Sequence, residues 1–123
     1  MASDRASKSI FTGSKVIGAG ATETIEFSWA NQGRISEGFR VRGSATGLLV
    51  SLADRRGSII IGDTPIDPAL LSPDALPRFA LFPGGEIRQG VNEGLVFTFS
   101  NPTVGPLTAS VAVWTKEPGP VHK

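Results

Sequence analysis

The residue types that most often carry acid–base, nucleophilic or transition-metal chemistry are almost absent from this chain. Its single histidine, His122, is the penultimate of 123 residues, and there is no cysteine and no tyrosine. A Ser-His-Asp arrangement requires an imidazole that a rigid scaffold holds in place, whereas His122 follows a Pro-Gly-Pro segment near the end of the chain. We therefore expect His122 to be a solvated tail residue and the protein not to be an enzyme.

Carboxylates are the remaining candidates for chemistry, because glycoside hydrolysis needs only two acids at a suitable separation. Glu23 and Glu26 lie three apart in a predicted strand, so they point to opposite faces. Asp63, Asp67 and Asp74 share a long loop and offer oxygen ligands for calcium, but their spacing matches no EF-hand. Asp67 precedes a proline and suits a helix N-cap. We expect no cofactor and no metal, and leave open whether the three aspartates bind an ion.

Two pairs of arginines form the candidate basic surface. Arg55 and Arg56 lie at the tip of a predicted hairpin, and Arg40 and Arg42 point outward from a predicted strand. Contacts with phosphate use such residues, but no aromatic side chains are interleaved with them to stack on bases. The net charge of +1 supplies no long-range attraction for nucleic acid or anionic lipid. We therefore do not expect nucleic-acid binding.

Trp114 is the aromatic residue whose position differs from the others. Most of the seven phenylalanines and two tryptophans lie at inward positions of predicted strands. If Val111 and Val113 face the core, alternation places Trp114 on the opposite face, exposed or packed against another chain. Tryptophan is enriched in subunit interfaces. The candidate interface residues are Trp114, the hairpin arginines Arg55 and Arg56, and Arg5 and Lys8 near the N-terminus.

Short alternating segments separated by turn residues position these side chains. The clearest alternation spans residues 22–29, 93–100 and 107–115. Fifteen glycines and nine prolines fall between the apolar runs, as in a domain with many turns. The pattern predicts an all-β fold, an antiparallel β-sandwich or jelly roll of about eight or nine short strands. A small barrel shares this pattern, and the strand order stays open.

The first half of the chain yields two further predictions about its strands. Residues 12–15 indicate a turn or bulge that breaks the first strand. Residues 48–52 and 58–61 form a predicted hairpin, and Gly57 suits a left-handed position at its end. Because both strands of this hairpin are apolar on both sides, we expect them to be central and covered on both faces.

The second half begins with one long interruption. Residues 67–71 and 72–76 each start with an N-cap residue followed by proline, which indicates one or two short helical turns in the 63–77 loop. Residues 86–90 then suggest a short, polar edge strand. No other segment of the chain indicates a helix.

The sequence indicates one domain with an extension at each end. We expect a flexible N-terminal arm over residues 1–9, a single β-sandwich domain over residues 10–116 and a flexible C-terminal tail over residues 117–123. No segment approaches the ~20 apolar residues of a membrane span, so we expect no membrane association. The polar first residues carry no apolar signal-peptide core, which argues against secretion.

As a whole, the compact, cysteine-free all-β chain resembles the small virion proteins of tailed bacteriophages, of the capsid decoration (cement) type. The resemblance depends on size, strand pattern and flanking arms, and no motif carries it. It implies a trimer or dimer that sits on the outside of a capsid, contacts the major capsid protein or other virion subunits, and stabilises the lattice. It also implies a virion location after assembly in the host cytoplasm.

Two other functions are compatible with an all-β chain of this size. A carbohydrate- or ligand-binding sandwich, such as a fibre or lectin-like domain, would present exposed aromatic side chains, for which Trp114 is the candidate. The absence of tyrosine argues against that function. A cupin-type enzyme relies on clustered histidines for its metal, and one histidine cannot form a cluster. Virion decoration is therefore the first hypothesis and carbohydrate binding the second.

Overall fold

Antiparallel strands make up the regular structure of the chain. The computed structural model describes residues 8–29, 33–43, 47–65 and 79–117, with only the backbone of Lys8, Asp63 and Pro65. These residues contain no helix and nine strands. The strands are β1 (Lys8–Ile17), β2 (Thr22–Ser28), β3 (Arg34–Gly43), β4 (Leu49–Asp54), β5 (Ile59–Pro65), β6 (Ala80–Leu81), β7 (Ile87–Gln89), β8 (Gly94–Ser100) and β9 (Leu107–Lys116).

The strands form two sheets around a shared apolar core. Sheet A has the order β1-β9-β3, with β6 and β7 both paired to the other side of β3, and sheet B has the order β2-β8-β4-β5. The first strand therefore lies beside the last, the second beside the next to last, and so on inward to the β4–β5 hairpin. This wrapping is the jelly-roll arrangement. The predicted all-β antiparallel sandwich is confirmed, and its strand order is that of a jelly roll.

β6 and β7 together occupy one strand position at the edge of sheet A. β6 pairs with residues 38 and 39 of β3, and β7 pairs with residues 34–36, both antiparallel. Between them the chain turns at Gly84 and Gly85, whose φ angles of 84° and 94° lie in the left-handed region that glycine adopts most easily. The predicted edge strand over residues 86–90 is confirmed as β7.

The inward faces of both sheets supply the core, and the predicted alternation holds in the strands that contribute most to it. In β2, Ile25 and Phe27 are buried while Thr24 and Glu26 are exposed. In β3, Phe39 is buried beside the half-buried Arg40. The largest fully buried apolar side chains are Phe39, Phe97, Phe99, Ile17, Leu48, Leu52, Leu95, Val41 and Val113.

β1 is a single unbroken strand, and the turn or bulge predicted at residues 12–15 is wrong. All ten residues of β1 pair in sequence with β9, starting with Lys8 opposite Lys116. Gly13 is needed for another reason, because a Cβ atom at this position would lie 2.7 Å from Ile25 Cγ2 of β2. The glycine permits the two sheets to approach closely, and this contact between distant residues is not visible in the local sequence.

The prediction that both strands of the β4–β5 hairpin are central is wrong for β5. β4 lies between β8 and β5, whereas β5 is the edge strand of sheet B. Ile59 is 75% exposed, and Ile60 and Ile61 are half-buried. A short apolar run is compatible with either position, which explains the error. Gly57 has a φ of 95°, as predicted for the end of this hairpin.

The domain boundaries differ slightly from those predicted. β1 begins at Lys8, two residues before the expected start of the domain at residue 10, because Lys8 and Ser9 pair with β9. β5 continues to Pro65, so the loop predicted over 63–77 begins later. The predicted helical turns, the first seven residues of the arm and the last six of the tail lie outside the described residues.

Candidate functional site

One row of residues crosses the outer face of sheet A from edge to edge. Ile10 of β1 pairs with Trp114 of β9, and Trp114 pairs with Gly38 of β3. Gly38 in turn pairs with Leu81 of β6. Val113, adjacent to Trp114, is fully buried, so the row lies on the face turned away from the core. Ile10 is 56% exposed and Leu81 is 66% exposed.

Phe79 fills the space above Gly38 in this row. A Cβ atom at residue 38 would collide with the Phe79 ring. The ring centroids of Phe79 and Trp114 are 5.1 Å apart with an interplanar angle of 37°, and Arg40 Cζ lies 5.5 Å from the centroid of the Trp114 ring. Trp114 therefore lies on the outer face, as expected, but packs partly against its own chain. Ile10, Trp114, Phe79 and Leu81 are termed the outer row below.

An open groove with charged residues at its margin follows the outer row. Its lining residues are Ser9, Ile10, Glu37, Phe79, Trp114 and Thr115. Beside it, Lys116 Nζ lies 2.9 Å from Glu86 Oε2 and 3.8 Å from Glu37 Oε2. The hydrogen bond to Glu86 raises the pKa of Lys116 above its ordinary value of 10.5. An aromatic surface bordered by a carboxylate and a guanidinium suits a protein side-chain cluster or a sugar ring.

The hairpin arginines, two of the predicted interface residues, form ion pairs within the chain. Arg55 donates from Nη1 to the Asn92 carbonyl at 3.0 Å, and its Nε lies 3.4 Å from Glu26 Oε2. Arg56 Nη2 lies 3.0 Å from Glu93 Oε2. These contacts connect the β4–β5 hairpin to the turn before β8. Both side chains are exposed and stay available to a partner, but their charge is partly compensated.

The two arginine pairs do not form one basic surface. Arg40 and Arg42 lie on β3 in sheet A, and Arg42 is close to the connection that leads to β4. Arg55 and Arg56 follow the far end of β4 in sheet B. The pairs are therefore separated both by sheet and by end of the sandwich.

The acidic residues do not gather into a site in the part of the chain that the structure describes. Glu23 is paired with Lys15 at 3.6 Å, and Glu26 with Arg55. No group of three or more His, Cys, Asp or Glu side chains that could hold a metal occurs among the described residues. Four of the candidate residues lie outside the part of the chain that the structure describes, namely Arg5, Asp67, Asp74 and His122. For Asp63 and Lys8 the structure describes only the backbone.

Gln89 is a buried polar residue that the sequence analysis did not single out. It is 6% exposed. Its Oε1 accepts from Trp29 Nε1 at 2.8 Å, and its Nε2 donates to the Gly94 carbonyl at 2.9 Å. The amide thus connects the edge strand β7 to the ends of β2 and β8. An alternating pattern predicts only that one face is inward, and does not predict a polar residue there.

Asn101 holds the opposite end of the sandwich together. It is 1% exposed, and its Nδ2 donates to the carbonyls of Ile17 and Gly105 at 2.9 and 2.8 Å. Its Oδ1 accepts from the backbone N–H of Thr103 at 3.0 Å. The preference of asparagine for turns was the available signal in the sequence. Both buried amides therefore bind groups of their own chain, and neither lines the groove beside the outer row.

No protein-family model matches this chain, and no curated protein matches it significantly. The described residues contain no apolar helix of membrane-spanning length. The outer row and its groove are therefore the candidate site on geometry alone.

Proposed function

We propose that the protein is a structural virion protein of the decoration type, which binds the outside of a phage capsid and stabilises it. The observation that carries the proposal is the outer row, an apolar strip that crosses a whole sheet and is exposed at both ends. The jelly-roll order supports it, because viral capsid domains commonly have this architecture, as do lectin domains and cupins.

The chemistry of the outer row suits a protein partner. Ile10 and Leu81 expose apolar surface at the two edges of sheet A, and Trp114 lies between them with Arg40 over its ring. Tryptophan and arginine are over-represented among the residues that dominate the free energy of protein binding. Contiguous apolar surface on a soluble domain commonly marks an interaction site. The outer row is therefore the surface that would contact the capsid.

In this proposal the partner is the major capsid protein or another virion subunit, and the protein acts at the surface of the virion. It binds as a dimer or trimer, so that several outer rows engage the capsid together and raise the overall affinity without additional contacts per chain. The work of the protein is then done by surface complementarity, and it requires no cofactor.

Co-sedimentation with capsids tests the proposal. Purified protein is mixed with expanded capsids of candidate tailed phages and sedimented, and the bound fraction is measured against protein concentration. We expect saturable binding, which Trp114→Ala, at the centre of the outer row, weakens by about tenfold or more and Leu81→Ser, at its end, weakens to a smaller extent. Val104→Ser is the matched control, because Val104 is fully exposed in the β8–β9 loop. Thermal unfolding of each variant separates lost binding from lost folding.

Either of two results would count against the proposal. Binding that Leu81→Ser and Trp114→Ala leave unchanged would remove the outer row as the contact surface. Failure to sediment with any capsid, combined with binding to a glycan array, would replace virion decoration with carbohydrate binding.

The predicted N-terminal arm can be tested in the same assay. The deletion must stop at residue 7, because Lys8 and Ser9 belong to β1 and the Ser9 carbonyl accepts a hydrogen bond from Thr115 Oγ1 at 3.1 Å. If the arm is a tether, removal of residues 1–7 preserves the melting temperature and lowers capsid affinity sharply. Unchanged affinity would exclude that role.

Carbohydrate binding is the second candidate, and the Phe79–Trp114 pair favours it. The two rings lie side by side on the outer face, with Arg40 over Trp114 and Glu37 lining the same groove. A sugar ring could stack on the aromatic surface while these charged groups bind its hydroxyls. On a glycan array, this function predicts binding that Trp114→Ala abolishes and Leu81→Ser preserves, since Leu81 lies outside the groove lining.

A further inference from the structure

Arg40 is a half-buried cation on the outer face of sheet A that lacks a carboxylate partner among the described residues. Its Cζ lies 5.5 Å from the centroid of the Trp114 ring. Lys116, on the same face, is paired with Glu86 and Glu37. Arg40, by contrast, forms neither a hydrogen bond nor an ion pair with another described residue. Its guanidinium is therefore held by an aromatic ring and not by an acidic side chain.

A guanidinium in contact with an aromatic ring can still bind an anion. The contact with the ring uses the face of the guanidinium, whereas its N–H groups lie in its plane and match the two oxygens of a carboxylate. Contact with Trp114 also restricts the arginine side chain, which lowers the entropy lost when a ligand binds. Arg40 can therefore bind a carboxylate without giving up its contact with Trp114.

A second open groove on the outer face of sheet A is lined by Arg40. The other side chains that line it are Thr12, Ser14, Arg42, Ser110 and Ala112. Three of these carry a hydroxyl group, which can donate a hydrogen bond to an anion, and no acidic residue lines the groove. Ala112 is 7% exposed and, with its small side chain, forms the floor. This groove is termed the hydroxyl groove below.

The hydroxyl groove adjoins the open groove along the outer row, which is termed the outer-row groove. Ala112 pairs with Thr12 on one side and with Arg40 on the other, so these three residues form the row next to the outer row. Trp114 lines the outer-row groove, and its ring contacts Arg40 of the hydroxyl groove. Neighbouring rows on one face are about 6.5 Å apart along a strand. An apolar subsite and a cationic subsite therefore lie side by side.

We propose that this surface binds an extended protein segment that presents an apolar side chain to the outer-row groove and a carboxylate to Arg40. Side chains two positions apart in an extended segment point to the same side and are about 6.5 Å apart, which matches the spacing of the two rows. Charge complementarity favours the carboxylate, because the hydroxyl groove contains Arg40 and no acidic residue. That the partner is a protein rests on the proposed function, and the segment is then the one that the capsid presents.

Selection from a library of random peptides displayed on filamentous phage tests this pattern without a capsid. Wild-type protein, Arg40→Gln and Arg88→Gln are immobilised, and the peptides that each retains are sequenced. We expect the wild type to enrich peptides in which Asp or Glu lies two positions from a large apolar residue. Arg40→Gln keeps the apolar preference and loses the acidic one. Arg88→Gln, the same change at an exposed position of β7 in the same sheet, is the matched control and keeps both.

A double-mutant cycle then locates the carboxylate. An enriched peptide and its amide counterpart, with Asn for Asp or Gln for Glu, are titrated into isotope-labelled protein. Binding is followed by NMR at the indole N–H of Trp114, which Trp114→Phe identifies. We expect the amide counterpart to bind the wild type about tenfold more weakly, as for loss of a hydrogen bond to a charged group, and both peptides to bind Arg40→Gln equally. Arg40→Lys keeps the charge without the planar fork and restores only part of the affinity.

Co-sedimentation with capsids separates failure of this proposal from failure of the proposed function. We expect Arg40→Gln to lower capsid affinity about tenfold and Arg88→Gln to leave it unchanged. A protein that selects the acidic pattern but binds no capsid would contradict virion decoration and retain the recognition of an acidic segment. Capsid binding that Trp114→Ala weakens and Arg40→Gln does not would contradict the role of Arg40 and retain virion decoration.

Several results would overturn the recognition of an acidic segment. These are the absence of acidic enrichment on the wild type, the same enrichment on Arg40→Gln, and additive effects in the double-mutant cycle. Binding of an oligogalacturonate at the Trp114 indole, with no peptide selected, would replace the protein segment by an acidic carbohydrate. Thermal unfolding checks that each variant folds. If Arg40→Gln fails to fold, the two peptides on the wild type still measure the contribution of the carboxylate, and equal affinities would overturn the proposal.

Discussion

At the scale of single residues, the two buried amides show how polar side chains stabilise the ends of an apolar sandwich. Gln89 satisfies the Trp29 indole and a backbone carbonyl, and Asn101 satisfies three backbone groups. Each amide occupies a place where a strand ends and the ladder of backbone hydrogen bonds stops. The loss of either one leaves several buried groups without a partner.

Replacement of Gln89 by leucine is expected to destabilise the protein. Gln89→Leu keeps the volume but leaves the Trp29 N–H and the Gly94 carbonyl buried and unpaired, which costs about 1–3 kcal/mol for each group. We expect the free energy of unfolding to fall by about 3 kcal/mol in urea titrations. Arg88→Leu, at the exposed neighbouring position of β7, is the control and should change it by less than about 0.5 kcal/mol. A similar loss in both variants would refute the role of the Gln89 amide.

Ser36 is a buried polar residue without the hydrogen bonds that Gln89 and Asn101 make. The side chain is fully buried, and its Oγ has no hydrogen-bond partner among the described residues. Ser36→Ala removes an unsatisfied buried group, so we expect the free energy of unfolding to rise by about 1 kcal/mol. Ser51→Ala, at a half-buried position of β4 in sheet B, makes the same change of side chain and serves as the comparison. A decrease in the Ser36 variant would show that the hydroxyl is bonded after all.

At the scale of elements, the outer row depends on a gap in β3. Gly38 leaves the space that Phe79 occupies beside Trp114. A side chain on residue 38 would meet not only this ring but also the Ala80 carbonyl, at 2.6 Å from the added Cβ. The outer row therefore depends on side chains from three separate strands and on a glycine of a fourth strand. No continuous segment of the sequence contains all of these residues.

Gly38→Ala is expected to break the outer row. The added methyl group displaces the Phe79 ring and shifts β6, at a cost of about 1–3 kcal/mol. Acrylamide quenching of Trp114 fluorescence should increase, while the emission from the buried Trp29 provides an internal reference. Gly62→Ala, at a β5 position with nothing within 4 Å of the added Cβ, is the control. Unchanged quenching in Gly38→Ala would mean that Phe79 does not cover Trp114 in solution.

The elements also show what the sequence could predict. In β2 and β8 the period-two pattern predicted both the strand and its buried face, because one side of each strand faces only the core. β1 was predicted to break because Gly13 resembles a turn residue. The glycine is needed instead because Ile25 of the other sheet leaves no room for a side chain at this position. The edge position of β5 and the pairing of Phe79 with Trp114 arise from contacts between distant residues. Local patterns carry no information about such contacts.

At the scale of the molecule, the sequence predicted a sandwich but left its order open, since the same strands can be connected in several ways. The structure selects the wrapping in which the chain folds back on itself, with its two terminal strands paired. Lys8 and Lys116 are direct partners, and partners in an antiparallel ladder have Cα atoms about 5 Å apart. The pairing of the first and last strands therefore closes the domain, and its two ends lie next to each other.

A circular permutant tests this closure. Residue 117 is joined to residue 8 by a short flexible linker, and new ends are opened between Gly84 and Gly85 in the exposed turn after β6. We expect cooperative unfolding within about 2 kcal/mol of the parent, because a short loop costs little to close. A permutant opened between Val111 and Ala112, inside the central strand β9, should fail to fold by circular dichroism. Equal behaviour of the two permutants would contradict the assigned strand order.

The central position of β9 also determines when sheet A can form during synthesis of the chain. A ribosome makes β9 after every other described strand, yet β9 lies between β1 and β3. Sheet B needs the chain only as far as residue 100, whereas in sheet A β1 has no partner before residue 116 has emerged. Until then β3 can pair only with β6 and β7 on its other side, and β1 has no partner among the described strands. Sheet A is therefore expected to form later in synthesis than sheet B, after β9 has been made.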